Sequence, residues 1–317
     1  MTRTATPARK DFLSVLDFDA PELERCLGVA AHLKADRALG RQAPTANALE
    51  GRHVAMIFEK ASLRTRSTFD IAIVELGGHV VPLQSDAALG QREPVTDVAR
   101  NLERWVDAVV IRTFSQRMLE EFAAAAPRLR VINALSDEQH PCQALADMMT
   151  LREQWGSLRG RTVAYVGDGN NVAVSLAHAA LMLGIHVHVA SPDGYQLPDR
   201  ALQQATGASR HGARLRLFTD AVDAVAGADA VYTDTWTSMG QESEADLRRL
   251  VFAPYQVNDT LMSLAKPSAL FMHCLPAHRG EEVTADVFES AASVVFDQAE
   301  NRLHVQKALL SMLLTSG

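Results

Sequence analysis

Residues 59–78 read EKASLRTRSTFDIAIVELGG, and Arg64 and Arg66 stand at the head of a segment whose Phe69, Ala72, Ile73 and Leu76 recur at helical spacing. A helix N-terminus carries partial positive charge and favours acidic side chains, so two arginines there are out of place unless an anion arrives. Ser62 as N-cap, the Thr65 hydroxyl, Arg64 and the first backbone N–H groups would together cradle a phosphate. A solvated arginine pair is the competing reading. Arg112, just after the apolar run DAVVI, adds a cation at another strand end, and His140 with Gln143 in HPCQALAD adds polar groups. A lone buried histidine is more often structural.

The second half holds a different set of residues. In TVAYVGDGNNVAVSLAHAALMLG, Gly167 and Gly169 sit between a strand and a helix and invite a dinucleotide reading. That fingerprint fails at its third glycine, where Val172 stands, and the first acid beyond the next strand, Asp193, is poorly placed for a ribose. Asn170 and Asn171 instead offer amides at a helix start, suited to an amino-acid carboxylate. An ammonium wants an acid, and Asp234 supplies one directly after DAVYT, in a run whose Ser238 and Gly240 suggest a ligand-touching loop. The bland alternative is an Asp capping the next turn. In ALFMHCLPAHRGEEVT, Cys274 is open to reading as a nucleophile or as a small inert hydrophobe.

These groups must be held by elements. Apolar runs mark strands at 53–58, 79–83, 107–111, 161–166, 185–190, 214–218, 229–233 and 269–273. Helical periodicity marks 17–38, the segment after Ser62, 94–105, 137–155, 171–183, 199–207, 220–226, 243–252 and 301–314. Strands alternating with helices predict an α/β protein of two domains, each a parallel sheet flanked by helices, with a boundary near residue 150. Open parallel sheets place ligands beyond the carboxyl ends of their strands, where these polar residues fall.

The chain has 317 residues, 47% of them hydrophobic, enough for two cores. A net charge of -7 argues against a broad nucleic-acid surface. Cys26, Cys142 and Cys274 are odd in number and lack a CxxC pair, so neither a disulfide framework nor a zinc ribbon is expected. No apolar run approaches a membrane span of about 20 residues and no leader stands out, which predicts a cytoplasmic protein.

Taken together, Ser62-Leu63-Arg64-Thr65-Arg66, His140-Pro141-Cys142-Gln143, Asp234-Thr235-Trp236-Thr237-Ser238-Met239-Gly240 and His273-Cys274-Leu275-Pro276 resemble the ornithine carbamoyltransferases in order and spacing over nearly the whole chain. The resemblance implies that residues 1–150 bind carbamoyl phosphate and 151–300 bind ornithine, and that 301–317 form a helix returning to the first domain. It implies Ser62, Leu63 (through its N–H), Arg64, Thr65, Arg112, His140, Gln143, Leu275 (through its carbonyl) and Arg302 as the carbamoyl-phosphate set, and Asn171, Asp234, Ser238 and Met239 as the ornithine set. Arg64, Arg112, His140 and Cys274 are the expected catalytic groups, with Cys274 near the reacting amine. No cofactor or metal is implied, and the assembly expected is a homotrimer or a multiple of it.

Two positions depart from the family pattern. Leu63 stands where a threonine is usual, and Ala88 where a polar residue lent to a neighbouring subunit is usual. A hydrogen bond to a charged group is worth roughly 1.5–3 kcal/mol, so both losses would weaken carbamoyl-phosphate binding unless Gln91 or Arg92 compensates. Two rivals follow: a carbamoyltransferase for another amine (lysine, putrescine or N-acetylornithine), and a weakly active or non-catalytic paralogue acting as a binding or regulatory subunit.

Overall fold

A computed structural model describes residues 11–60, 62–85, 89, 92–237 and 241–315. The chain divides into two compact units, residues 1–142 with 302–317, and residues 143–301. The division falls between Cys142 and Gln143, inside a helix, where the expected boundary was 150.

The first unit is built on a four-stranded sheet in the order β2-β1-β3-β4, all pairs parallel. Its strands are β1 (His53–Phe58), β2 (His79–Leu83), β3 (Ala108–Arg112) and β4 (Arg130–Leu135). Helices α1 (Ala20–Ala35), α2 (Leu63–Glu75), α3 (Val95–Leu102) and α4 (Gln116–Ala125) connect or precede them. Ala55, Ile57, Val109, Ile111 and Val131 pack with Leu119 and Phe122 into one core. Near-continuous burial along β3 and β4 is what a parallel sheet covered on both faces requires. β4 and α4 are additions to the sequence reading: RVINAL lacks alternation and carries the buried Asn133, whose NH2 donates to the Leu13 carbonyl and to Gln116 Oε1. Residues 11–13 cover the outer edge of β4 through the paired N–H and C=O of Phe12.

The second unit carries a five-stranded parallel sheet in the order β7-β6-β5-β8-β9. These strands are β5 (Thr162–Val166), β6 (His186–Ala190), β7 (Leu215–Phe218), β8 (Ala230–Thr233) and β9 (Leu270–His273). α5 (Pro141–Trp155) leads into it from the first unit. α6 (Asn171–Met182), α7 (Asp199–Ala208), α8 (Ala221–Val225), α9 (Ala245–Phe252), α10 (Asp259–Met262) and α11 (Ala285–Phe288) follow. Strand order reverses at β5, between β6 and β8, the switch point at which such sheets open a crevice beyond their carboxyl ends.

The last helix, α12 (Val295–Thr315), begins six residues earlier than expected and passes from the second unit into the first at Arg302. Lys307 pairs with Glu75 of α2 at 3.0 Å and the Leu313 carbonyl accepts from Arg130 at 3.0 Å, so the helix closes the first unit. Among the described residues no helix is long and apolar enough to cross a membrane.

Candidate active site

In the first unit the turn from β1 to α2 brings Ser62 to the N-cap position, but its side chain caps nothing. Its hydroxyl instead accepts from Arg112 at 3.0 Å. Arg112 reaches it from the end of β3, where the register with β4 shifts between Ile111 and Arg112. Glu59 braces the two loops: its backbone N–H donates to the Arg112 carbonyl at 2.9 Å, and its carboxylate accepts from the Thr113 hydroxyl and the Phe114 N–H. The first turn of α2 contains no acidic residue, so its N–H dipoles meet only Arg64 and Arg66 locally. Arg66 lines a cavity of about 570 Å³ with Phe58, Leu83 and Ser85 beyond the ends of β1 and β2.

Thr65 is buried and its hydroxyl accepts a short hydrogen bond from Arg302 of α12. His140, at the turn from β4 to α5, is buried beside Arg302 and Arg112. Burial first, and those two cations second, hold its pKa well below the ordinary imidazole value, so the ring is neutral and offers an N–H without being an acid. Ser62, Thr65, Arg112, His140 and Arg302 thus form one connected cationic set around the start of α2. Leu63 is 78% exposed, so nothing in the packing calls for an apolar side chain there, and its contribution to an anion would be its backbone N–H. Ala88 and Gln91 lie outside the described residues, and Arg92 is exposed.

The second unit assembles a set of opposite character. Asp234 follows β8 and is buried. One of its oxygens accepts from the Asn170 amide at 2.8 Å; the other accepts from the Cys274 thiol at 2.9 Å and from its own neighbour, the Thr235 N–H, at 2.8 Å. The local turn bond expected of a merely structural Asp is therefore present, and so are two bonds to residues distant in sequence. Asn170 is the N-cap of α6, its carbonyl accepting from the Val172 and Ala173 N–H groups. Asn171 occupies the first helical position beside it. Ser238 and Met239 lie outside the described residues.

The glycine pattern before α6 has a steric explanation. A Cβ on Gly169 would sit 2.5 Å from the backbone of Gln196 and Leu197, which leaves no room for any side chain. Between the glycines stands Asp168, paired with the buried Arg248 at 2.7 Å; Arg248 also donates to the Trp236 carbonyl at 2.9 Å. A carboxylate at the position where a pyrophosphate would lie opposes nucleotide binding. Burial raises the Asp168 pKa, and Arg248 offsets part of that.

His273, the last residue of β9, and Glu282 are both fully buried, with Nε2 3.1 Å from the carboxylate. The Leu275 N–H donates to His273 Nδ1 at 2.9 Å, so the ring proton resides on Nε2 and donates to Glu282. This holds Leu275 at φ +62°, a left-handed conformation that a leucine adopts at a cost. Asp234, His273 and Cys274 bring three potential metal-ligand atoms within 4.8 Å, although both imidazole nitrogens are already engaged. Cys142 lies elsewhere: it is buried, its thiol donates to the Asn133 carbonyl, and burial pushes its pKa up to about 12, which makes it inert.

The sequence reading did not reach the partners of these groups, Arg248 for Asp168 and Glu282 for His273. Their signal is an acid or base lying dozens of residues away, or within an ordinary charged loop, which periodicity does not report.

Residues 10–153 match the carbamoyl-P binding domain of the aspartate/ornithine carbamoyltransferases, and residues 159–313 match their Asp/Orn binding domain. The chain belongs to this family. It is 52% identical over 308 residues to the ornithine carbamoyltransferase of Parafrankia sp. (strain EAN1pec), with 96% of each chain covered. The structure of the ornithine carbamoyltransferase from Pyrococcus furiosus superposes with a TM-score of 0.93 at 47% identity, covering 99% of this chain and 100% of that one. A solved N-acetyl-L-ornithine transcarbamylase is also similar, at TM-score 0.84 but 31% identity, over 96% of this chain and 99% of that one. The family's two domains, each a parallel sheet flanked by helices, and its returning C-terminal helix are the fold described above.

Proposed function

We propose that the protein transfers the carbamoyl group of carbamoyl phosphate to the side-chain amine of L-ornithine, giving L-citrulline and phosphate. The observation that carries this reading is the neutral, buried His140 held among Arg112, Arg302 and the start of α2. That arrangement suits a dianionic acyl phosphate, in which the phosphate oxygen is bonded to a carbonyl carbon. Ser62, the Leu63 N–H, Arg64, Thr65, Arg112 and Arg302 hold the phosphate. His140 donates its N–H to the carbamoyl oxygen, Gln143 faces the carbamoyl amide, and the Leu275 carbonyl accepts from it.

On the acceptor side, Asp234 takes the α-ammonium and Asn171 the carboxylate, with Ser238 and Met239 completing that site. The uncharged side-chain amine attacks the carbamoyl carbon, forming a C–N bond and placing charge on the carbamoyl oxygen. Collapse of this tetrahedral species breaks the C–O bond to phosphate, and the proton the amine gives up leaves on the departing phosphate. Arg64 and His140 stabilise charge that develops only along this path, an effect worth several kcal/mol per well-placed donor. Because the amine's ordinary pKa is about 10.4, the site must select the minor neutral form. Cys274, hydrogen-bonded to Asp234, orients that amine rather than attacking the carbamoyl carbon itself.

The names of the relatives support ornithine as acceptor, and that of the Pyrococcus furiosus relative, named as anabolic, supports a biosynthetic role, with arginine synthesis as the proposed pathway and the cytoplasm as the proposed location. A homotrimer, or a multiple of it, is the proposed assembly. Purified protein given carbamoyl phosphate with ornithine, lysine, putrescine or N-acetylornithine in parallel tests the reading. Turnover confined to ornithine is expected; turnover on another amine would reassign the acceptor, and silence on all of them would favour a non-catalytic paralogue.

A further inference from the structure

Behind the candidate site in the second unit lies a buried polar cluster of which the assigned roles use only Gln143. Gln143, Asp147, Tyr232 and Gln298 are all buried. Asp147 Oδ1 accepts from Gln143 Nε2 at 2.9 Å, one helical turn away on α5, and from Gln298 Nε2 at 2.6 Å. The Tyr232 hydroxyl lies 3.2 Å from Oδ2 and accepts from Gln298 Nε2 at 3.0 Å. Burial and the adjacent carboxylate hold Tyr232 protonated, so it donates to Asp147.

The orientation of each amide can be derived from a main-chain group that has only one possible role. The His273 N–H is a donor and lies 3.1 Å from Gln298 Oε1. Gln298 therefore turns its nitrogen toward Asp147, which makes Asp147 Oδ1 an acceptor. An acceptor there admits only one orientation of the Gln143 amide, with its nitrogen facing Asp147 and its carbonyl facing the other way.

We propose that Asp147 is a positioning residue for carbamoyl transfer, fixing the Gln143 amide so that Oε1 is the atom presented to the NH2 group of carbamoyl phosphate. The inference rests on the assignment of Gln143 to carbamoyl phosphate made above. A glutamine free to flip would present its own NH2 to the substrate's NH2 for part of the time, a donor facing a donor. Asp147 removes that state. Through Gln298 the same carboxylate also ties α5 to the strand end that carries Cys274.

The test removes the fixing acceptor and restores it without its charge. Asp147→Leu and Asp147→Asn are compared with the unaltered protein by the KM for carbamoyl phosphate and by competitive inhibition with inorganic phosphate, which lacks the carbamoyl amide. Asp147→Leu is expected to raise the KM at least about tenfold while leaving phosphate inhibition within about twofold, as the loss of one well-placed hydrogen bond implies. Asp147→Asn is expected to keep the KM within about threefold, because its Oδ1 can still accept from the Gln143 and Gln298 nitrogens while its NH2 donates to the Tyr232 hydroxyl. A merely structural side chain would weaken phosphate binding in parallel, and an Asp147→Asn variant as impaired as Asp147→Leu would mean that the acceptor is not what matters; either result overturns the proposal. If Asp147→Leu does not fold, the smaller Asp147→Ala makes the same comparison. Unaltered protein that forms no citrulline would remove the assignment of the site itself, a different failure.

Discussion

The polar clusters of the two units have opposite electrostatic character. Around the start of α2 the first unit gathers Arg112, Arg302 and a neutral His140, with hydroxyls that share their hydrogen bonds. Around the ends of β5, β8 and β9 the second unit gathers carboxylates, each matched to a donor: Asp234 to Asn170 and Cys274, Asp168 to Arg248, Glu282 to His273. One cluster is rich in donors, the character an anion would call for. The other is a nearly complete set of pairs, into which a zwitterion must fit by replacing or extending existing bonds. An anion site of this kind should lose function steeply when a cation is removed, whereas the paired half should lose selectivity first.

Breaking the first half is expected to cost most. Arg64→Ala should lower kcat/KM for carbamoyl phosphate about a thousandfold, with unchanged circular dichroism, because it deletes charge stabilisation made along the reaction path. Asp234→Asn should raise the KM for ornithine about a hundredfold and leave that for carbamoyl phosphate within about twofold, read from two-substrate kinetics. A comparable rise in both would mean that the halves are not separate in function.

Part of this contrast was visible in the sequence. Arg64 and Arg66 violate the charge preference of a helix start, so the proposed anion site carries a local signal. Both parallel sheets were legible for a related reason, since buried strands such as HVAMIF and TVAYV are short continuous apolar runs bounded by turns. The acceptor half breaks no local rule: Asp168 sits in a glycine loop, Arg248 on an ordinary amphipathic helix, Glu282 in a charged turn. What makes them a cluster is pairing across nine residues in one case and eighty in the other, and only the fold supplies that. The strand at 130–135 escaped notice because a buried asparagine interrupts it, and the early start of α12 because Val295–Glu300 shows no clean stripe.

A pair of histidines sharpens the comparison further. His140 and His178 are both buried and both held neutral, one at the anion site and one inside α6, where burial lowers the pKa to about 4. In each case the unfolded chain takes up a proton before the folded one as pH falls below about 6.5, so the associated stability is present at neutral pH and lost on acidification. For His178 the loss amounts to about 2 kcal/mol near pH 5. His178→Gln should therefore narrow the gap between melting temperatures at pH 7.5 and pH 5 without altering turnover at neutral pH. His140→Gln should lower turnover at every pH. If His178→Gln left the acid sensitivity intact, burial would not be the cause.

The smallest effect concerns Leu63. Because its side chain points to solvent, Leu63→Thr should fold unchanged and lower the KM for carbamoyl phosphate by about fivefold or less, the worth of one additional hydroxyl. No change would mean that the backbone N–H alone meets the need.

Helix α12 gives the chain an order of assembly. The second unit, residues 143–301, is one uninterrupted stretch, whereas the first needs both 1–142 and the residues from Arg302 onward. On a ribosome the first stretch emerges early yet lacks Arg302 and the brace from Lys307 until a whole intervening unit has been synthesised. The cluster around the start of α2 is thus completed only after the whole second unit has been made.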